Sequence, residues 1–166
     1  TVLTIVVVCA AFGPWLAPNA ADAISLRDAM TPPAWEEGGE SGFLLGTDNL
    51  GRDILSRIIA GARVSVVIAA YAILLSGGIG AALGMIAGYF GGVPDSIISR
   101  LIDVQMSVPS LPLALLFASV LPPGEGMVIL VIVMTYWTWY ARIVRGEVLS
   151  LRERDFIALA KVAGVS

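Results

Sequence analysis

Four long blocks without a charged residue constrain the fold of this 166-residue chain more than any other feature. The blocks are residues 1–21, 64–94, 104–124 and 126–141. A helix needs roughly 20 predominantly apolar residues to cross a bilayer. Only 14% of the residues are charged, whereas a soluble domain has about 25%. The sequence therefore predicts an all-α integral membrane protein with about four transmembrane helices.

These blocks divide the chain into four regions. The first is a truncated transmembrane helix that we expect to break at Gly13-Pro14, and the second is rich in Pro, Glu and Gly. The predicted regions are 1–17, the truncated first helix; 18–63, an extracytoplasmic segment that ends in an amphipathic helix; 64–146, transmembrane helices two to four; and 147–166, the start of a cytoplasmic loop.

The amphipathic helix is predicted to run from Asp48 to Arg63. Thr47 or Asp48 would be its N-cap, because short polar side chains accept hydrogen bonds from the first free amides of a helix. Asp53 and Arg57 are four residues apart and are predicted to form a surface ion pair.

The distribution of charge predicts the orientation in the membrane. Residues 142–166 contain five basic and three acidic residues, whereas residues 14–63 contain seven acidic and four basic ones. Cytoplasmic loops carry an excess of Lys and Arg. The C-terminal segment is therefore expected in the cytoplasm and the 14–63 region outside it.

Two features inside the blocks indicate special packing. Gly80, Gly84 and Gly88 recur every four residues, so they share one helix face on which another helix can approach closely.

In the third span, Pro109 and Pro112 remove backbone donors. Irregular backbone at membrane depth requires protein or a water-filled cavity to satisfy it. A solute path and an ordinary proline kink both fit. The candidate path residues are Asp103, Ser107, Pro109, Ser110 and Pro112.

The C-terminal stretch predicts a short amphipathic helix. Phe156, Leu159, Ala160 and Ala163 are spaced i, i+3, i+4 and i+7, which places them on one helix face. Gly164 follows where a helix ends or turns. Such a helix, attached directly to a membrane span, suits docking into a groove of a soluble partner.

The composition argues against enzymatic chemistry in this chain. It has no histidine and a single cysteine, Cys9, so the commonest general base and metal ligand is missing. The phosphate-binding pattern G-x-x-x-x-G-K-[ST] does not occur either. We expect no catalytic residue, no metal site and no bound cofactor.

Several segments, read in order, resemble one class of membrane permease. The C-terminal stretch resembles the coupling (EAA) loop of ABC-transporter permeases, with Ala160 and Gly164 at matching positions. From about residue 43 onward, the chain is similar to the second, C-type permease subunit of the dipeptide, oligopeptide and nickel class. The matching segments are 45–48, 51–53, Ser56-Arg57, Gly61, Arg63, Ser65, 88–92, Asp95, Arg100, Asp103, Pro109, 141–145 and 152–156.

The resemblance implies a type I ABC-importer transmembrane domain, of which this chain would contain about four of six helices. It also implies a bacterial or archaeal cytoplasmic membrane, a homologous permease as heterodimer partner, two ATPase subunits that use ATP, an extracytoplasmic solute-binding protein and membrane lipid, but no nucleic acid. By this resemblance the contacts with the ATPase subunits are made by Arg152, Asp155, Phe156, Leu159, Ala160, Ala163 and Gly164.

Two other functions remain open at this stage. A secondary transporter commonly uses carboxylates within the membrane and inverted repeats. Here Asp103 is the one candidate carboxylate, and no repeat is visible. A membrane assembly subunit that transports nothing would use the same glycine packing. ATP-dependent uptake in vesicles distinguishes the three functions, because a secondary transporter does not need ATP for uptake and an assembly subunit gives no uptake.

Overall fold

The structure is a computed structural model that describes residues 2–154, 157 and 159. Its helices are α1 (Val2–Leu16), α2 (Ile54–Phe90), α3 (Gly92–Ser107), α4 (Ser110–Val120) and α5 (Glu125–Arg152), with a short 3₁₀ helix at Leu26–Asp28. The chain divides into two compact units, Thr1–Ile68 and Ala69–Ser166.

The apolar blocks form helices, as predicted. Helices α2 and α5 are each long and apolar enough to cross a membrane, and α3 with α4 passes the same test as one span that is bent. Helix α1 has 15 residues, which is below the usual span of roughly 17–25. The described residues therefore contain two or three candidate spans, where the sequence predicted about four.

Three predicted helix boundaries are wrong. Helix α1 continues through Pro14 to Leu16, and Gly13 does not break it. The predicted amphipathic helix and the second span form one helix, α2, which begins at Ile54. The third span is predicted from the sequence to begin near Ile97, but α3 begins at Gly92, directly after a one-residue link at Gly91.

The first unit is organised by a buried carboxylate at the start of α2. Asp53 is 2% exposed and accepts hydrogen bonds from the amides of Leu55 (3.3 Å) and Ser56 (3.2 Å). These are the second and third residues of the helix, so Asp53 is its N-cap. Asp53 also accepts hydrogen bonds from Ser56 Oγ (2.5 Å) and Asn19 Nδ2 (3.3 Å).

Asp48, one of the two residues that we predicted as the N-cap, instead stabilises the loop before the helix. Its carboxylate accepts hydrogen bonds from the amides of Leu50 (2.9 Å) and Arg52 (3.0 Å). It pairs with the guanidinium groups of Arg52 and Arg57. The predicted Asp53–Arg57 ion pair is therefore wrong, because Asp53 is buried at the cap and Arg57 reaches Asp48.

The charge of Asp48 matches these contacts. Desolvation raises the pKa of its carboxyl group. Two effects outweigh it: the carboxylate accepts hydrogen bonds from the Arg52 amide, the Arg52 side chain and the Leu50 amide, and it is attracted by the positive charge of Arg52. The pKa of Asp48 therefore lies well below its usual range. The group remains an ionised acceptor at neutral pH, as the loop requires.

The second unit has a small core where α2, α3 and α5 meet. Ala87, Ile98, Ile102 and Ala141 are buried there, and Leu83, Met106 and Trp137 pack against them. Two of the four central residues are alanines, so the helix backbones come close together. This core positions the features described next.

Candidate functional site

The sharpest feature of the second unit is the bend between α3 and α4. Helix α3 ends at Ser107, α4 begins at Ser110, and the two axes differ by 86°. The Val108 amide donates a hydrogen bond to the Gln105 carbonyl at 3.3 Å. Pro109 takes the N-cap position of α4, where its missing N–H costs nothing. Pro112 lies in the first turn of α4 and does not interrupt the helix.

A cavity of about 330 Å³ lies at this bend, between α3–α4 and α5. Its polar lining includes Gln105, Ser110, Thr135 and Thr138. Thr138 is 1% exposed, and Thr135 Oγ1 donates to the Val131 carbonyl at 2.8 Å. The remaining lining residues are Met106, Val108, Pro109, Leu113, Tyr136 and Trp139.

The α5 side of this cavity was missed by the sequence reasoning. From the sequence, Tyr136 and Trp139 are typical of interfacial anchors near the end of a span, and no pattern singles out Thr135 or Thr138 as cavity residues. The available signal was the pair of threonines three residues apart within a charge-free block. Such a pair lies on one helix face.

The candidate path residues do not all reach the cavity. Pro109 and Ser110 line it. Ser107 is exposed, and its hydroxyl donates to the Val104 carbonyl at 2.7 Å. Asp103 lines a different, more polar cavity of about 560 Å³ on the α3 side. The candidates therefore separate into two neighbouring places along α3 and α4.

The polar cavity is surrounded by side chains of both charges. Asp95, Arg100, Asp103 and Arg145 line it together with Gly92, Ser96, Ser99 and Val104. Asp103 pairs with Arg142 at 3.3 Å rather than with Arg100, which lies three residues before it on the same helix. This pair is exposed, so water weakens it.

Two further arginines of α5 contact the corner between α2 and α3. Arg145 donates from Nε (2.5 Å) and Nη2 (2.9 Å) to the two carboxylate oxygens of Asp95. Arg152 donates from Nη1 to the Gly88 carbonyl at 2.8 Å. Arg152 is thus bound within its own chain, and its predicted contact with an ATPase subunit stays a prediction.

The three spaced glycines of α2 lie against α5. A Cβ added at Gly80 would lie 2.4 Å from the Trp137 carbonyl oxygen, and one at Gly84 would lie 2.5 Å from the Ala141 carbonyl oxygen. At Gly88 it would meet Val148 Cβ at 2.7 Å. These distances are too short for any side chain, so the glycine face meets α5 of the same chain.

The predicted coupling helix is only partly described. Leu159 is 69% exposed. Asp155, Phe156, Ala160, Ala163 and Gly164 lie outside the described residues. Within the part of the chain that the structure covers, no group of three or more His, Cys, Asp or Glu side chains could hold a metal ion.

Comparison with known families decides the class of the protein. The family described as "Binding-protein-dependent transport system inner membrane component" matches residues 80–166. The chain belongs to this family. The match contains the glycine face from Gly80 onward, the bend and the whole of α5. The predicted fold class, an all-α transmembrane domain of a type I ABC importer, is confirmed.

Individual relatives agree with the family. The chain is 41% identical over 162 residues to the dipeptide transport system permease protein DppC of Haemophilus influenzae, covering 98% of this chain and 55% of the relative. It is 43% identical over 164 residues to DppC of Escherichia coli (98% and 54%). It is 38% identical over 162 residues to the di/tripeptide transport system permease protein DppC of Pseudomonas aeruginosa (98% and 54%). The chain spans about half the length of these relatives.

Proposed function

We propose that this chain forms part of a C-type permease subunit that imports di- or tripeptides, or similar small solutes, across a cytoplasmic membrane. The observation that carries the proposal is similarity over 98% of the chain to permease proteins whose names specify dipeptide or di/tripeptide transport. The subunit pairs with a homologous permease, and an extracytoplasmic binding protein delivers the solute.

Energy comes from two ATPase subunits that bind the segment after α5. Their contacts are Arg152, Asp155, Phe156, Leu159, Ala160, Ala163 and Gly164, the residues that the resemblance to the coupling loop assigns to this interface. The basic end of α5 supports a cytoplasmic location for this segment. This subunit itself hydrolyses no ATP and binds no cofactor.

Uptake of a labelled dipeptide tests this function. The transporter that contains the full-length chain is reconstituted in proteoliposomes with its binding protein and radiolabelled alanyl-alanine. We expect uptake that requires hydrolysable ATP on the ATPase side and persists with a proton ionophore. Uptake that ignores ATP and stops with the ionophore would identify a secondary transporter. An assembled complex that takes up neither dipeptides nor nickel nor glutathione would favour an assembly subunit.

The solute path runs along the bend in this proposal, past Asp103, Ser107, Pro109, Ser110 and Pro112. The support is the cavity lined by Ser110 and the α5 hydroxyls, because polar groups in hydrocarbon are costly unless water or protein satisfies them.

Cysteine labelling tests the path at single positions. Ser107→Cys and Ser110→Cys, each in a Cys9→Ser background, are treated with an impermeant thiol reagent with and without ATP. We expect labelling at both positions to change severalfold between the two states, because alternating access opens and closes the path. Leu116→Cys is the control, since Leu116 is 60% exposed on α4 and outside both cavity linings. Absent labelling in both states, with normal transport by Ser107→Leu, would reduce the bend to a structural kink.

A further inference from the structure

We infer that Arg145 and Arg152 clamp the α2–α3 corner to the end of α5, so that the corner moves with the segment that follows α5. This inference rests on the proposed function. It assigns to two arginines a positioning role in carrying movement from the ATPase side to the bend. The clamp consists of Arg145, Val148 and Arg152 on α5, with Gly88 and Asp95 on the corner.

The corner is abrupt because two glycines form it. Helix α2 ends at Phe90 and α3 begins at Gly92. Gly91 has φ +65° and Gly92 has φ +54°, a left-handed conformation that favours glycine. The Gly91 amide donates to the Ala87 carbonyl at 3.1 Å, and the Gly91 carbonyl accepts from the Asp95 amide at 3.4 Å. Hydrogen bonds of Gly91 therefore connect the last turn of α2 directly to the first turn of α3, with no flexible loop between the two helices.

The first contact of the clamp is a bidentate ion pair. Both carboxylate oxygens of Asp95 accept from Arg145, at 2.5 and 2.9 Å. Ser99 Oγ also donates to the Asp95 carboxylate at 3.2 Å. The side chains of Arg145 and Asp95 are 31% and 22% exposed. A planar guanidinium held at two points fixes orientation as well as distance, which the exposed Arg142–Asp103 pair does not do.

The second contact holds the C-terminal end of α2. The Gly88 carbonyl, which accepts from Arg152 at 2.8 Å, is among the last four of the helix, which have no partner within the helix. A cation there also complements the negative end of the helix dipole. Arg152 is the last residue of α5 and adjoins the predicted coupling segment.

The clamp contacts lie on one face of α5. Arg145, Val148 and Arg152 are spaced i, i+3 and i+7, so they follow one stripe. Val148 lies in the notch at Gly88, where an added Cβ would be 2.7 Å away. A shift of α5 therefore displaces the corner, and α3 carries the displacement to the bend at Val108 and Pro109.

The number of dipeptides transported per ATP hydrolysed tests this role. Asp95→Asn, Arg145→Gln and Arg152→Gln each break one contact. We expect this ratio to fall about fivefold or more, the usual lower range of coupling between sites, while ATP hydrolysis continues. Arg27→Gln is the control for loss of an arginine side chain, because Arg27 is exposed in the first unit, lies outside both cavity linings and forms no ion pair within the described part of the chain. Wild-type ratios in all three variants would overturn the clamp.

A charge exchange separates coupling from folding. Asp95→Arg and Arg145→Asp should each lower the ratio, and the double variant should recover most of it, because the pair is restored in reverse. If the single variants fail to assemble, the double variant still decides. An assembled double variant with a ratio as low as that of the single variants contradicts the ion pair.

A distance measurement needs no transport and so separates this inference from the proposed function. Spin labels replace Val93 on α3 and Leu151 on α5, both exposed, in the assembled full-length complex. We expect one narrow distance distribution with and without ATP, and a broad one after Arg145→Gln with Arg152→Gln. An unchanged distribution in that double variant overturns the clamp, whereas failure of ATP-driven uptake in the wild type overturns the proposed function.

Discussion

Replacing Gly84 with leucine is expected to destabilise the packing of α2 on α5 by about 3 kcal/mol or more, at the upper end of the usual cost of overpacking. The Ala141 carbonyl oxygen would lie 2.5 Å from the new Cβ, and Val144 Cβ would lie 3.0 Å from it. A backbone oxygen cannot rotate away as a side chain can, so the helices must separate. The free energy of unfolding of the full-length protein in detergent measures the loss.

Gly78→Leu is the matched control for this prediction. Gly78 lies on the same helix, and an added Cβ there meets nothing within 4 Å. The pair of variants therefore differs in position alone. Equal stability of the two variants would contradict the close contact between α2 and α5. The sequence predicts only that some helix packs on this face. Since the observed neighbour is α5 of the same chain, the isolated subunit should already be destabilised.

Asp53→Ala is expected to destabilise the first unit by about 2–4 kcal/mol. Loss of an N-cap costs about 0.5–2 kcal/mol, and each buried donor left without a partner costs about 1–3 kcal/mol. The buried donor is the Ser56 hydroxyl, because the Ser56 side chain is fully buried. Asn19 is exposed and also donates to the Gly42 carbonyl, so its loss of Asp53 adds little. Hydrogen exchange at the amides of Leu55 and Ser56 in the full-length protein measures the local opening.

Two further variants define the cause. Asp53→Asn keeps an acceptor oxygen and should lose less stability, because asparagine also caps helices well. Asp22→Ala removes an exposed carboxylate of the same unit and should leave exchange unchanged. Equal protection in Asp53→Ala and the wild type would show that the cap and the network around Asn19 contribute little.

The membrane class and most helices were predictable because they depend on local composition. Charge-free blocks of sufficient length become helices in a bilayer, since each backbone group must be satisfied within the segment. The break at Pro109 was predictable for the same reason, because proline lacks a donor wherever it stands. The match to the permease class also followed from residues read in order.

The start of α2 could not be predicted from the sequence. Asp48 and Asp53 are both carboxylates ahead of an apolar stretch, and each is a reasonable N-cap. The choice depends on Asn19, which lies 34 residues before Asp53 and binds it, and on Gly42, whose carbonyl also accepts from Asn19 at 2.9 Å. Contacts so far apart in sequence are absent from any local pattern.

The sequence by itself determined that this protein has apolar helices, a bend at Pro109 and a glycine face on α2, because each follows from the chemistry of neighbouring residues. Only the tertiary structure decided which surfaces meet. It placed α5 against the glycines, Arg145 on Asp95, and Thr135 and Thr138 beside Ser110. The physical reason is that periodicity specifies a helix face but not its partner, which depends on how several helices pack together.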